Sequence, residues 1–290
     1  MIMVQDLSKL VSVGIATKNR WQDLEITLEK LDQNSFKSIP IIIFDDASDI
    51  ACPFDVSEFN VNVLIKRFSN SQGYIVRRNK LAEAMHTKYY LSLDDDSYPV
   101  SGSLQAAVEF AESRQDLLCV SFPIYNPVLG HYQSSSIKQI PYQVKSFIGC
   151  GHLLHIENFL KLGGYREELI HQGEEMEIAA RAFKEGLHCY HYPSFEINHT
   201  ASNKGRNWHR MDFYGARNNV LWNDWFVPNE FKLIKQSRTL ISRIIHSMKV
   251  GRMGQIQGEL AGLMESQRYK YYRRTMSVEM FNNWQSLPFS

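Results

Sequence analysis

Short apolar runs alternating with helical patterns over the first two hundred residues predict an α/β fold: a mostly parallel sheet flanked by helices, followed by a helical C-terminal extension. Three observations carry this expectation. Runs rich in Val, Ile, Tyr and Leu recur at 11–16, 41–44, 61–65 and 89–93. Between them apolar residues fall three and four apart, as at Leu24, Leu28 and Leu31, which is the helical period. Three of the runs end in polar clusters, and open sheets of this kind bind ligands beyond the carboxyl ends of their strands.

The elements follow in order. The first strand, 11–16, ends in Thr17-Lys18-Asn19-Arg20 and leads into the helix marked by Leu24, Leu28 and Leu31. The second, 41–44, ends in Asp45-Asp46-Ala47-Ser48. A third strand at 61–65, a helix over 74–86 and a fourth strand at 89–93 bring the chain to Asp94-Asp95-Asp96. The stretch 123–141, with Ser134-Ser135-Ser136, reads as a long variable loop. Glu174, Glu175 and Glu177 crowd the start of a helix that runs to about Gly186, where acids also favour the positive end of the helix dipole. An apolar-to-polar run closes at His199, and 201–210, polar with Gly205 and Trp208, reads as a loop able to close over a ligand. An aromatic-rich helix begins at Phe213 and contains Arg217, which reads either as a diphosphate contact or as a buried structural arginine. Residues 231–248 interleave Leu233, Ile234, Leu240, Ile241, Ile244 and Ile245 with Lys232, Lys235, Arg238 and Arg243. This amphipathic helix suits a cover over the core, a homodimer contact or an anionic membrane surface. The expected division is a catalytic domain at 1–225 and the extension at 226–290.

With 32 Lys+Arg against 31 Asp+Glu in 290 residues, the overall charge gives no case for a nucleic-acid partner. Its distribution is uneven: from Asn203 onward 14 basic residues face 6 acidic ones. That basic portion suits an anionic partner or the acidic first part of the same chain. Cys52, Cys119, Cys150 and Cys189 show no CxxC or metal spacing and read as reduced thiols. The N-terminal ten residues lack a signal-peptide pattern and no run is long enough to span a bilayer, so the expected location is cytoplasmic, with peripheral contact at the inner membrane face as an option.

Three carboxylates at the end of a buried strand call for a cation, or else for a charged turn before a helix starting near Ser103. Hard ions such as Mg²⁺ or Mn²⁺ take oxygen ligands and are commonly completed by nucleotide phosphates, which points to diphosphate chemistry. These clusters, in their order and spacing, resemble glycosyltransferase family 2. Residues 11–20, Asp45-Asp46-Ala47-Ser48, Gly73 with Arg78-Asn79, the Asp94-Asp95-Asp96 triplet, Gly149-Cys150-Gly151-His152, Gly163-Gly164-Tyr165 and Gly173-Glu174-Glu175 are similar to successive motifs of that family. The resemblance covers roughly residues 10 to 225. Two departures stand out: Ala47 replaces the usual Gly, and Glu175 the usual Asp.

The resemblance implies a Rossmann-like GT-A fold and transfer of a sugar, with inversion, from a UDP-, dTDP- or GDP-linked donor to a saccharide or lipid-linked acceptor. Cell-surface polysaccharide or glycan synthesis is the implied setting. It implies Mn²⁺ or Mg²⁺ held by Asp94, Asp96 and His199. Thr17, Asn19, Arg20, Asp45, Asp46, Arg78, Asp94 and Asp95 are the implied donor contacts, with a carboxylate from Asp45 or Asp46 reading the base. Gly149, Gly151, Tyr165 and Trp208 are the implied acceptor side. Glu175 is the implied base, with Glu174 its alternative, because the attacking hydroxyl must lose a proton. Two other classes stay open: a sugar nucleotidyltransferase, for which the glycine-rich phosphate loop is missing, and a non-catalytic sugar-nucleotide binder of the same fold.

Overall fold

The computed structural model describes residues 6–34, 36–201 and 207–290. Its strands are β1 (Val11–Thr17), β2 (Ile41–Asp45), β3 (Val63–Arg67), β4 (Tyr89–Asp94), β5 (Ser97–Gly102), β6 (Leu117–Ser121), β7 (Ile124–Asn126), β8 (His131–Ser134), β9 (Tyr142–Val144), β10 (His152–His155), β11 (His188–His191) and β12 (Phe195–His199). Its α-helices are α1 (Leu7–Leu10), α2 (Trp21–Gln33), α3 (Tyr74–Ala84), α4 (Leu104–Glu112), α5 (Ile156–Lys161), α6 (Glu174–Lys184), α7 (Trp208–Phe226), α8 (Asn229–Val250), α9 (Gly254–Glu265) and α10 (Val278–Ser286).

Among the described residues the main sheet runs β3-β2-β1-β4-β10-β6-β11-β9, and a smaller one runs β5-β12-β7-β8. The four strands expected from the sequence form the parallel half, β3 to β4. β10 then enters antiparallel between β4 and β6. Both faces of β1 are covered: Val11, Val13 and Ile15 belong to a core shared with Leu24, Leu28 and Leu31 of α2, while the opposite face lies over Tyr90, Leu81 and Ala82. Such two-sided burial is why these strands read as continuous apolar runs.

The stretch 123–141 is not a structureless loop. It carries β7 and β8, paired antiparallel, with β7 parallel to β12. Strands of three and four residues, one reading His-Tyr-Gln-Ser, give too little alternation to be seen in sequence. The aromatic-rich helix starts at Trp208, five residues before Phe213. Half of the loop expected over 201–210, residues 202–206, lies outside the described residues, and its last three residues are instead the first turn of α7.

The C-terminal helices share the main core. Trp222, Trp225, Phe226, Met276, Phe281 and Trp284 join Ile178 and Ala182 of α6 in one cluster; truncating a buried ring of this kind typically costs about 3–5 kcal/mol. α9 lies backbone to backbone on α7. A Cβ on Gly258 would stand 2.0 Å from the carbonyl oxygen of Phe213, and one on Gly262 2.7 Å from that of Arg217.

α8 is turned the other way from a core cover. Its polar face points inward: Lys232 pairs with Asp224, Arg243 with Glu259, and Ser247 is buried. Its apolar face points outward, with Leu233 75% and Met248 79% exposed and Ile234, Ile241 and Ile245 about half exposed. No helix among the described residues is long and apolar enough to cross a membrane.

Candidate active site

The parallel register places Thr17 beside Asp45 and Ala16 beside Asp94, so the ends of β1, β2 and β4 form one rim. β12 runs antiparallel to β5, pairing His199 with Ser97, and thereby returns the histidine over the acidic triplet. Nε2 of His199 lies 3.2 Å from Asp96 Oδ1 and 3.9 Å from Asp94 Oδ2. Its Nδ1 is 2.8 Å from Gln133 Oε1 of β8, a contact that fixes the ring and leaves Nε2 facing the carboxylates.

The three aspartates differ. Asp94, about a third exposed, receives Arg78 Nη2 at 2.6 Å. Asp95 turns inward, where Thr17 Oγ1 donates to it at 2.8 Å and Arg20 Nε approaches to 3.3 Å; burial outweighs Arg20 and pushes its pKa up to about 7. Asp96 takes Arg20 Nη2 at 2.5 Å on one oxygen, while its buried Oδ1 has no aligned hydrogen bond. Burial opposes charge on His199, yet the sulfur of Cys150 and the carboxylates of Asp96 and Asp94 override it and raise its pKa to about 11. Oxygen donors from Asp94 and Asp96 with an oriented imidazole between them fit a divalent cation, which would take over the role of that proton.

Of the paired acids at the end of β2, Asp46 is saturated. It accepts from Ser71 Oγ, the backbone N–H groups of Gln72 and Gly73, and Arg77 Nε at 2.6 Å, tying down the entry to α3. Nothing is left for a nucleobase. Asp45 accepts from Ser48 N–H and Oγ through one oxygen, and its other buried oxygen, 3.3 Å from Arg67 Nε, has no aligned hydrogen bond. Asn19, with φ of 57°, exchanges hydrogen bonds with Asp49 and braces this same turn.

Arg78 is enclosed by protein groups. Buried on α3 over the Tyr74 ring, it spans from Asp94 to Glu174 at 3.4 Å and Glu175 at 3.8 Å. Glu174 is fully buried, with Oε2 unpartnered; Glu175 keeps part of its side chain open. Burial and the neighbouring Glu174, against Arg78, raise the pKa of Glu175 well above the carboxylate range.

The glycines and aromatics of the expected acceptor side stand differently. The space at Gly149 is taken by Glu175 and Arg78: a Cβ there would meet Glu175 Oε1 at 2.3 Å. Gly151, at φ +64°, lies against Ile197. Tyr165 is buried on Phe159, its hydroxyl 3.3 Å from His152, and offers no open surface to an acceptor. Trp208, exposed on the first turn of α7, lies under the Arg252 guanidinium. Arg217 is structural, bonded to Glu265 and to the Glu168 carbonyl.

Sequence reasoning missed Cys150, whose sulfur stands within 4.8 Å of donor atoms of Asp94 and His199, because these residues are far apart in sequence and neither CxxC nor metal spacing joins them. Gln133 was hidden in the stretch read as a loop. Arg77, beside Arg78 in the sequence, could have been found only by asking what neutralises Asp46.

The sequence profile described as Glycosyl transferase family 2 matches residues 12–167. Pre-mycofactocin glycosyltransferases of two Mycobacterium tuberculosis strains are 23% identical over 199 residues, which cover 63% of this chain and 42% of theirs. The chain thus spans less than half the length of these curated relatives. Among solved structures, the mannosyltransferase PcManGT of Pyrobaculum calidifontis, in complex with GDP-Man and Mn²⁺, aligns at TM-score 0.58 and 14% identity over 91% of this chain and 83% of its own. GalNAc-T7 with UDP, GalNAc and Mn²⁺ aligns at 0.58 and 17% identity, over 75% of this chain and 51% of that one. S. aureus TarS 1–349 in complex with UDP-GlcNAc aligns at 0.57 and 13% identity, over 74% and 66%. These likenesses show the GT-A fold.

Proposed function

Because this chain belongs to glycosyltransferase family 2, whose profile it matches over more than half its length, we propose that it moves a sugar, with inversion, from a nucleoside-diphosphate donor to a hydroxyl of a saccharide or lipid-linked acceptor. The observation that carries the reading is the Arg78 guanidinium, which joins the carboxylate facing His199 to the paired glutamates of α6. Donor-side and acceptor-side groups thereby stand around one buried cation. Sugar nucleotides or their fragments in the complexes of the similar structures support the donor class, and Mn²⁺ in two of them supports a metal.

Asp94, Asp96 and His199 would hold Mn²⁺ or Mg²⁺, which when bound supplies Lewis-acid stabilisation of charge on the leaving diphosphate. Asp45, through the oxygen that has only the Arg67 guanidinium nearby, accepts from a base N–H; UDP, dTDP and GDP all present one. From the end of β1, Thr17 and Arg20 hold Asp95 and Asp96 in place beyond β4. Glu175, the more open of the two glutamates, takes the acceptor proton. Burial and the neighbouring Glu174 raise its proton affinity, and a stronger base takes a proton more readily. Arg78 keeps the ionised form accessible.

Calorimetry tests the donor reading. UDP and GDP should bind in the presence of Mn²⁺, and Asp96→Ala and His199→Ala should each weaken that binding with the fold intact. Unchanged Mn²⁺-dependent affinity in both variants refutes the metal assignment.

The outward apolar face of α8 supports a peripheral location. Arg238 and Lys249, with no ion-pair partner among the described residues, border a stripe whose exposed acid is Glu230 at the far end. That charge pattern suits an anionic bilayer, where a lipid-linked acceptor would lie. Phosphatidylserine vesicles should sediment the protein at low salt and release it as salt rises, and Ile241→Glu should weaken the binding. Salt-insensitive self-association without vesicle binding would assign the face to a second copy.

A further inference from the structure

The proposed reaction gives no role to the sulfur of Cys150. We propose that Cys150 is a ligand of the cation site, which with Asp94 and His199 makes a mixed oxygen, nitrogen and sulfur set that favours Zn²⁺ or Co²⁺ over Mg²⁺. This rests on reading the triplet and His199 as a metal site.

The geometry is that of a site nearly closed. One carboxylate oxygen of Asp94, the sulfur of Cys150 and one ring nitrogen of His199 all lie within 4.8 Å of one another. With bonds of roughly 2.0–2.3 Å in a tetrahedral arrangement, neighbouring donors stand about 3.3–3.8 Å apart, so shifts of about 1 Å or less bring the three onto one ion. The three come from separate elements: the end of β4, the turn before β10 and the end of β12. No two are close in sequence, which is why no spacing pattern revealed them.

Cys150 is also held in place. The N–H of Gly151 donates to the carbonyl of Ser92 at 2.9 Å, and the positive φ of Gly151 lets the chain pass Ile197 without a side chain between them. On the other side Gly149 abuts Arg78 and Glu175. The residue is 1% exposed. Cys119 and Cys189 lie directly opposite one another across β6 and β11 in the sheet core; Cys150 instead has an acid and an imidazole as neighbours. A thiol packed only as a small hydrophobe has no need of them.

Chemistry sets the preference. Thiolate is a soft ligand that selects zinc-like ions, whereas Mg²⁺ takes oxygen almost exclusively. As the metal–sulfur bond forms, the thiol proton passes to solvent and the sulfur supplies the electron pair.

The test is a Co²⁺ titration of the metal-free protein, read by absorption, together with calorimetry of Zn²⁺ and of Mn²⁺ with UDP or GDP. A sulfur-to-cobalt charge-transfer band in the near ultraviolet is expected in the wild type and absent from Cys150→Ser. Zn²⁺ affinity should fall by roughly 10- to 100-fold or more in Cys150→Ser, since losing a ligand costs at least as much as losing a group that supports one. Cys150→Ala repeats the measurement should the serine variant fold poorly. A wild type that binds nucleotide with Mn²⁺ but shows no such band overturns the inference and leaves the proposed function standing. A band that survives in both variants overturns it too, and a wild type that binds no metal overturns both.

Discussion

Replacing Gly149 with alanine adds one methyl group at the point where the paired glutamates meet Arg78. That methyl would stand 2.3 Å from Glu175 Oε1 and 2.6 Å from Arg78 Nη1. Ordinary contact begins near 3.4 Å, so the carboxylate must retreat by about 1 Å and the guanidinium by slightly less. The backbone itself raises no objection, since Gly149 is not among the positive-φ glycines. The cost therefore falls on two side chains. A misplacement of 1 Å at a reacting group can cost about 10²-fold, equivalent to about 2.7 kcal/mol of barrier. Overpacking typically costs about 1–3 kcal/mol of stability, and the lower end applies where one displaced group is partly open to solvent. The measurement is transfer rate at saturating donor and acceptor, alongside donor affinity and a thermal melt. A folded Gly149→Ala protein with wild-type turnover would refute the placement of Glu175 and Arg78 at the chemistry.

Glu175→Gln should lower transfer by roughly 10²- to 10⁴-fold with donor binding kept, and Glu174→Gln should cost less; greater damage from the Glu174 change in single-turnover assays would move the base to Glu174. Asp46→Ala strands the buried Arg77 and should cost about 3–5 kcal/mol in chemical denaturation, whereas Asp45→Asn should leave stability near wild type and weaken nucleotide affinity in calorimetry. Gly258→Ala forces a methyl onto the Phe213 carbonyl and should destabilise by at least about 1–3 kcal/mol, read as a lowered melting temperature. Chelation with EDTA should abolish nucleotide binding, and Mn²⁺ should restore it.

Where a strand is buried on both faces, its sequence states the fact: β1, β2 and β4 were legible as apolar runs interrupted only by small residues such as Ser12, Gly14 and Ser92, and their polar ends as a rim. β7 and β8 were not, because short strands on a small sheet alternate too few residues to show a period. The acids of the triplet were legible through their place at a strand end, whereas His199 came only with the family resemblance. Sequence order could not divide labour between Asp45 and Asp46, since the difference lies in Arg77, Ser71 and two backbone N–H groups that converge on only one of them. Nor could it show that Gly149 makes room for protein groups, or that Tyr165 faces inward to His152. α8 misled in a different way. An amphipathic pattern fixes that two faces exist but not which one turns to the body of the protein, and ion pairs to Asp224 and Glu259 decide for the polar face.

The close seating of α9 on α7 has a consequence for how the two ends of the chain move. Asn218 of α7 donates from Nδ2 to the carbonyls of Leu169, His171 and Gln172, the segment that delivers the chain into α6 and its glutamates. The family profile ends at residue 167, just before that segment. Fraying of the C-terminal helices would therefore loosen the grip on the glutamates while leaving the rim at the ends of β1, β2 and β4, built on the far half of the sheet, undisturbed. Hydrogen exchange at 169–177 should rise and fall with that at 254–265, as within one cooperative unit, so the glutamates of α6 owe their steadiness to helices that lie outside the profile match.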